Sequence, residues 1–260
     1  PPAASSPTSL PDWLAYLEQL HPKTIELGLE RVSQVKARLQ LRPAFLIITV
    51  GGTNGKGSTC SMLEAILSAA GYKTGLYTSP HLLRYNERVR IAMQEASDPA
   101  LCDAFAAVET ARGEISLSYF EFGTLAAMWL FQQQQVEVAV LEVGLGGRLD
   151  AVNAFDADCA IVTSVDLDHM DYLGDNREII GWEKAGIFRA DKPAVCADAS
   201  PPNRLLDHAA QIGANLKLIG KDFVAQRGDA QWQFSSQGGW HLSLPYPSLC
   251  GAYQVDNASA

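Results

Sequence analysis

Residues 50–60 read VGGTNGKGSTC, and glycines set this densely around one lysine suit a particular chemistry. Glycines let successive backbone N–H groups turn inward around phosphate oxygens, and the lysine adds a positive charge on a flexible stem. The spacing departs from the ordinary phosphate loop, in which G-x-x-x-x-G-K runs directly into Ser or Thr. Here Gly57 follows Gly55 and Lys56 before Ser58 and Thr59 arrive, and three residues, not four, separate Gly51 from Gly55. The hydroxyl need not sit where it ordinarily ligates Mg2+, so a metal held here must find hydroxyl and carboxylate ligands elsewhere. The other reading is a glycine-rich turn with a solvated lysine.

Three later segments offer such ligands. TSPHLLRYNERVR (78–90) presents Ser79, LEVGLGGRLDAVN (141–153) presents Glu142, and TSVDLDHMDYLG (163–174) presents Asp168, His169 and Asp171. Each also has an ordinary reading. Ser79 before Pro80 suits a turn, and DLDHMD suits a solvated acidic loop. Glu142 is odder, because a carboxylate closing an apolar run is costly to bury.

The elements that must carry these residues follow from periodicity. DWLAYLEQL (12–20) and TIELGLERVSQVKARL (24–39) space apolar residues by three and four and predict helices. AFLIITV (44–50) is a short continuous apolar run, suited to a strand buried on both faces of a parallel sheet. A helix over 58–71 stops at Gly71, and KTGLYT (73–78) is the next strand. Helices over 98–112, 120–135 and 176–188 alternate with strands over 136–143 and 158–165. This alternation predicts a doubly wound α/β fold with a mainly parallel sheet. In such sheets ligands bind at the carboxyl ends of the strands, where the glycine loop and all three polar segments would converge. Beyond about residue 221, AQWQFSSQGGWHLSLPYP alternates with period two around SQGG and predicts a small β-hairpin region. The closing GAYQVDNASA reads as a turn into a helix.

Composition narrows the class. The 260 residues are 47% apolar and 19% charged, with a net charge of −9. No run of Lys and Arg forms the basic stripe of a nucleic-acid binder, and no run approaches the ~20 apolar residues of a membrane span. Five cysteines without a C-x-x-C pair argue against a disulfide framework or a zinc ribbon, and fit reduced thiols in a cytoplasmic protein. The Pro/Ser/Ala-rich opening, residues 1–10, reads as a disordered tail and not a signal peptide.

Taken together, the motifs resemble the Mur-ligase superfamily of ATP-dependent amide ligases, and within it the dihydrofolate synthase/folylpolyglutamate synthases. GTNGKGS (52–58) is similar to that family's phosphate loop, including the glycine after lysine. TSPHL (78–82), NERV (86–89), FEFGTLAA (120–127), LEVGLGGRLDAVN, DHMDYLG (168–174) and EKAGIF (183–188) resemble its signatures, in its order. HPKTIELGLERV (21–32) resembles its N-terminal helix.

The resemblance implies a mechanism and a set of roles. ATP would phosphorylate a substrate carboxylate, and the amino group of L-glutamate would attack the acyl phosphate. Gly52, Thr53, Asn54, Gly55, Lys56, Gly57 and Ser58 would cradle ATP, with Asn257 at the adenine. Ser79, Glu142 and His169 would ligate Mg2+, although a histidine on that hard cation is unusual. Lys184 matches a lysine that the family carbamylates into a further metal ligand; by its spacing alone it is a helix lysine with its amine reaching solvent. Lys56, His169 and Lys184 would be the catalytic residues. Ser118, Phe120 and Asp150 would contact dihydropteroate, a flat ring suiting an aromatic face and its amino-pyrimidine edge a carboxylate; core packing is the other reading of Phe120 and Phe122. Residues 11–260 would form the ATP-binding domain, with the family's glutamate-binding domain absent from this chain, and the family suggests a monomer.

Competing readings are a folylpolyglutamate synthase alone, another Mur-type peptide ligase, a P-loop kinase and a non-catalytic nucleotide-binding module. The YFEF segment with Asp150 favours a dihydropteroate site over polyglutamylation alone. A muramyl-peptide ligase would want an extra N-terminal domain, for which the residues before 44 leave little room. The hydroxyl displaced by Gly57 argues against the usual kinase metal arrangement. Lys56, Ser79, Glu142 and His169 together argue against a module without catalysis.

Overall fold

The computed structural model describes residues 7–23 and 26–260. Of the tail expected over residues 1–10, residues 1–6 lie outside the described residues. Ser9 already caps α1 (Leu10–Leu20), its hydroxyl accepting the Asp12 N–H at 3.3 Å. α2 is shorter than its periodicity predicts, running over Glu30–Arg38. Residues 24–25 lie outside the described residues, and the segment after them is held extended by Gly28, whose φ is +147° and whose N–H donates to the Leu149 carbonyl at 3.2 Å. A tertiary bond overrides the local helical pattern there.

The first sheet grows around β1 (Leu46–Gly51). The glycine loop opens α3 (Lys56–Ala69), which leads to β2 (Thr74–Tyr77). The chain then turns back through a 3-10 turn, Tyr85–Arg88, into two short strands, β3 (Val89–Ile91) and β4 (Gln94–Glu95). α4 (Asp98–Arg112) and α5 (Tyr119–Gln133) precede β5 (Val138–Glu142), and β6 (Cys159–Val162) follows. A single helical turn, α6 (Met170–Leu173), and α7 (Arg177–Ala185) lead to β7 (Pro193–Cys196). α8 (Asn203–Ile212) and β8 (Asn215–Leu218) complete this sheet.

The eight strands lie in the order β4-β3-β2-β5-β1-β6-β7-β8. All pair in parallel except β3 and β4, which form an antiparallel edge. β1 therefore sits between β5 and β6, where the connections diverge to the two sides. The expected hairpin proves to be two strands of a separate three-stranded antiparallel sheet, β9 (Phe223–Arg227), β10 (Gln231–Ser236) and β11 (His241–Pro245). The last helix, α9 (Gln254–Ser259), returns to pack on α3.

The sheet buries side chains on both faces, as its unbroken apolar strands require. Val50, Leu76, Val140 and Ile161 meet α3 on one face. Tyr77, Ala139, Leu141 and Val162 join the larger core built with α1, α2, α4 and α5 on the other. All five cysteines are free thiols, and no helix among the described residues is long and apolar enough to cross a membrane.

The densest part of the core is aromatic. Phe105 is fully buried, with ring centroids 5.5 Å from Tyr85, 5.8 Å from Phe122 and 5.9 Å from Trp13. Phe105→Ala is expected to cost about 3–5 kcal/mol, since a large ring leaves a cavity that its rigid neighbours cannot fill. Urea denaturation should show a lower midpoint at unchanged slope.

Candidate functional site

The parallel register lifts the polar loops off one sheet edge at one height. Val50 pairs with Glu142 and Gly51 with Val162, so the loops after β1, β5 and β6 leave side by side. Hydrogen bonds stitch the first loop to the third. Thr53 N–H donates to the Ser164 carbonyl at 2.8 Å, and Asn54 N–H to Ser164 Oγ at 3.0 Å. Thr163 Oγ1 donates back to the Asn54 carbonyl at 2.6 Å. Gly52 passes this seam at φ +143°, and a Cβ there would lie 1.9 Å from Thr163 Oγ1. No other residue fits.

α3 begins at Lys56 with Gly55 as its N-cap and no side chain on its first amides, leaving N–H groups and the helix dipole open to an anion. Lys56 Nζ folds back to donate to the carbonyls of Gly52 (3.0 Å) and Thr53 (3.2 Å). Ser58 follows in the first turn, while the Thr59 hydroxyl turns away to donate to the Asn257 carbonyl at 3.3 Å. The Asn257 side chain rests on the phosphate loop, where a Cβ on Gly55 would lie 2.3 Å from its Oδ1.

Glu142 faces this helix end, with its Oε1 3.8 Å from the position a Cβ on Gly57 would take. Burial raises its pKa, opposed by the Ser79 N–H and by the charges of Lys56 and Arg88. Its Oε2 accepts the Ser79 N–H at 3.0 Å, and its other oxygen has no donor among the described residues. Ser79 and Glu142 thus stand together as oxygen donors and fit a hard divalent cation. His169, half-exposed and at φ +47°, lies against Asp168 at 3.7 Å. Among the described residues no three His, Cys, Asp or Glu side chains converge, while His169 lines the same cavity wall as Ser79.

Lys184 is buried on α7, with 2% of its surface exposed and no ion pair among the described residues. Burial, and then the nearby charge of Lys56, lower its pKa to about 8, against a weaker pull from Asp168. The sequence reading of an amine reaching solvent is therefore corrected: Lys184 points inward.

One cavity of about 350 Å3 runs from the phosphate-loop lysine to the loop after β5. Lys56, Ser79, His169, Ser118, Phe120 and Asp150 all line it. Phe120 and Phe122 part company. Phe122 is fully buried in the core, whereas Phe120 is half-buried and packs on Tyr77 at 5.7 Å between centroids. Gly144 lets the Phe120 ring in, since a Cβ there would lie 2.7 Å from it. Ser118 caps α5 in a reciprocal box: its Oγ accepts the Glu121 N–H, and Glu121 Oε2 accepts the Ser118 N–H at 2.7 Å.

Asp150 is buried, and burial pushes its pKa up to about 7 despite backbone N–H donors from Leu145 (2.8 Å) and Val152 (3.0 Å). Its carboxylate therefore shapes the loop as well as lining the cavity.

Sequence reasoning missed part of the wall. Glu26, Leu27 and Gly28 cross it in the stretch assigned to a helix, and Arg88 enters from the turn before β3. Gly28, interrupting an amphipathic pattern, was the available signal for the first. Glu121, which takes the Arg31 guanidinium at 3.0 Å, adds a charge that the FEF motif showed without a role.

Comparisons with known proteins agree with this fold. The Mur ligase middle domain matches residues 50–260. A dihydrofolate synthase/folylpolyglutamate synthase of Escherichia coli (strain K12) is 56% identical over 247 residues, covering 95% of this chain and 58% of that protein. The structure of E. coli FolC in complex with DHPP and ADP has a TM-score of 0.94 at 53% identity, covering 98% of this chain and 62% of that one. A bifunctional folylpolyglutamate synthase/dihydrofolate synthase from Yersinia pestis, complexed with AMPPNP and Mn ion, has a TM-score of 0.91 at 50% identity, covering 98% and 62%. This chain thus spans about three-fifths of the length of these three relatives. With residues 50–260 matched by that domain and the fold shared with these structures, the chain belongs to the Mur ligase family.

Proposed function

We propose that residues 11–260 form the ATP-binding domain of an ATP-dependent amide ligase that joins L-glutamate to dihydropteroate and extends folates with further glutamates. The carrying observation is the single cavity that has Lys56, Ser79 and His169 in its wall together with Ser118, Phe120 and Asp150. Nucleotide phosphates and a flat acid would meet there. The bound DHPP and ADP of the E. coli protein, and the AMPPNP and Mn of the Yersinia protein, support this pairing. We assign glutamate binding to a domain outside these residues, as the family resemblance implies. Free thiols and a net charge of −9 support a cytoplasmic enzyme whose partners are small molecules, not nucleic acid or membrane, and the family resemblance implies a monomer.

In this reading the open amides at the start of α3, from Gly55 to Ser58, hold the phosphates, and Lys56 swings from its loop carbonyls to the transferred phosphoryl group. Asn257 lies beside the loop to meet the nucleotide. Ser79 and Glu142 would hold a divalent cation with His169 approaching from the neighbouring loop. The cation supplies neutralisation of phosphate charge and alignment of its oxygens. Phe120 offers a face to the pterin, and Asp150 an edge. The substrate carboxylate takes the phosphoryl group, the glutamate amine attacks the acyl carbon and loses a proton, and phosphate departs.

Lys184 enters as a carbamate. A neutral amine is the nucleophile toward CO2, and burial favours that neutral form. Attack on the carbon, with loss of one proton, leaves a carboxylate able to hold a second cation, in a site where Lys184 otherwise carries an unpaired charge.

Calorimetric titration of this chain with 7,8-dihydropteroate and with Mg·ATP tests the reading. Both should bind saturably. Gly52→Ala should weaken Mg·ATP at least tenfold, and Phe120→Ala should weaken dihydropteroate by about tenfold through lost stacking. Binding of Mg·ATP without dihydropteroate would restrict the activity to polyglutamylation, and binding of neither would overturn the proposal.

The buried amine makes a separate prediction for the metal-free chain in CO2-free buffer. Its pKa falls from 10.5 in the unfolded chain to about 8 in the folded one. Below pH 8 both states hold the proton and the burial cost is fully felt. Between pH 8 and 10.5 the unfolded chain binds more protons, so stability rises with pH. Lys184→Met should raise stability at pH 7 by on the order of 1–3 kcal/mol and flatten that rise. Urea midpoints at two pH values decide it; a rise that persists in the variant would sink the assignment.

A further inference from the structure

Arg88 stands in the cavity wall with a guanidinium that has no ion pair among the described residues. It closes the 3-10 turn before β3, and its carbonyl accepts the Thr78 N–H at 2.9 Å, anchoring it to the end of β2. Its Nε donates to His81 Nδ1 at 2.8 Å, which places the histidine proton on Nε2. The planar group lies 5.5 Å from the ring centroids of both Tyr85 and Tyr119. Among the described residues no carboxylate comes within ion-pair distance, and neither Nη nitrogen has an acceptor. A guanidinium clamped by two rings and a histidine, with its outer edge open, is a pre-oriented fork for a carboxylate or a phosphoryl group.

Its place in the cavity narrows the ligand. The strand end that anchors Arg88 carries Tyr77, on which Phe120 packs, while Ser79 and Glu142 lie just beyond. A flat acid with its ring on Phe120 would direct its carboxylate past this fork toward the phosphate loop. We propose that Arg88 binds the substrate carboxylate that accepts the phosphoryl group and remains on the acyl phosphate that results; the inference rests on the dihydropteroate reading above. A carboxylate oxygen forms the bond to the γ-phosphorus as the bond to the bridging oxygen breaks, and ADP leaves with that electron pair. The amine nitrogen then bonds to the acyl carbon and loses a proton, and the carbon–oxygen bond to phosphate breaks. Negative charge at the fork grows when the phosphoryl group arrives, so a fixed cation favours that step. Arg88 acts by charge and orientation. His81 is a positioning residue.

The test compares 7,8-dihydropteroate with its analogue in which hydrogen replaces the carboxylate, titrated calorimetrically into this chain. The wild-type chain should prefer the acid by about 10- to 100-fold, the usual worth of a charge-assisted fork. Arg88→Met should bind both ligands alike, at the affinity of the analogue. Arg88→Lys, which keeps the charge without the fork, should recover part of the preference, and it carries the test if melting curves show Arg88→Met unfolded. Equal binding of acid and analogue by the wild-type chain, or full preference in either variant, overturns the role of Arg88 and leaves the pteroate reading standing. Binding of neither ligand by the wild-type chain overturns both.

Discussion

Parallel pairing of β1 with β5 on one side and β6 on the other is the constraint on which the site depends. A strand in that position is buried on both faces, so it has to be apolar, and its polar work is deferred to the residues just past its end. The same holds for its two neighbours. Because Val50 lies beside Glu142 and Gly51 beside Val162, three chain segments become polar at one level of the sheet. The Thr163 and Ser164 hydroxyls then fix the glycine loop to its neighbour. A slip by one residue in either pairing would turn alternate side chains to the wrong face and separate these partners.

The edge formed in this way holds charges under tension. Glu142, Asp150 and Lys184 are all buried, and burial moves each pKa toward the neutral form. None of the three makes an ion pair among the described residues. Backbone N–H groups hold the two carboxylates, while Lys184 meets the opposed charges of Lys56 and Asp168. Packing alone would select apolar residues at these positions. Local rules broken together at one sheet edge mark a place where function has overruled stability.

Much of this was legible from residue types. The central alternation of strands and helices, and the α4 helix from Asp98 to Arg112, followed from apolar spacing. The phosphate loop and its companions followed from polar residues closing apolar runs. What escaped had weak or contradicted local signals. β3 and β4 are too short for a period to show, and they exist by pairing with the end of β2. α2 begins later than its pattern because the Gly28 N–H is bound to Leu149, across the fold. Arg88 looked like one charge among several in NERV, and only the stacking of Tyr85 and Tyr119 separates it from a solvated arginine. α8 is different: Pro202 before it, Gly213 after it and Leu205, Ala209 and Ile212 within it are a readable helix that was passed over.

The contact of Thr59 with Asn257 closes a loop of 198 residues. The unit of β1, α3 and β2 is local and forms at small entropic cost, but the side chain that seats against Gly55 belongs to α9, about 200 residues on. During synthesis the glycine loop therefore emerges long before its final neighbour does. Contacts of such high sequence separation form late, after shorter loops have closed. Completion of the phosphate loop thus waits on α9, so a chain made only as far as β8 has its sheet but lacks Asn257 against Gly55.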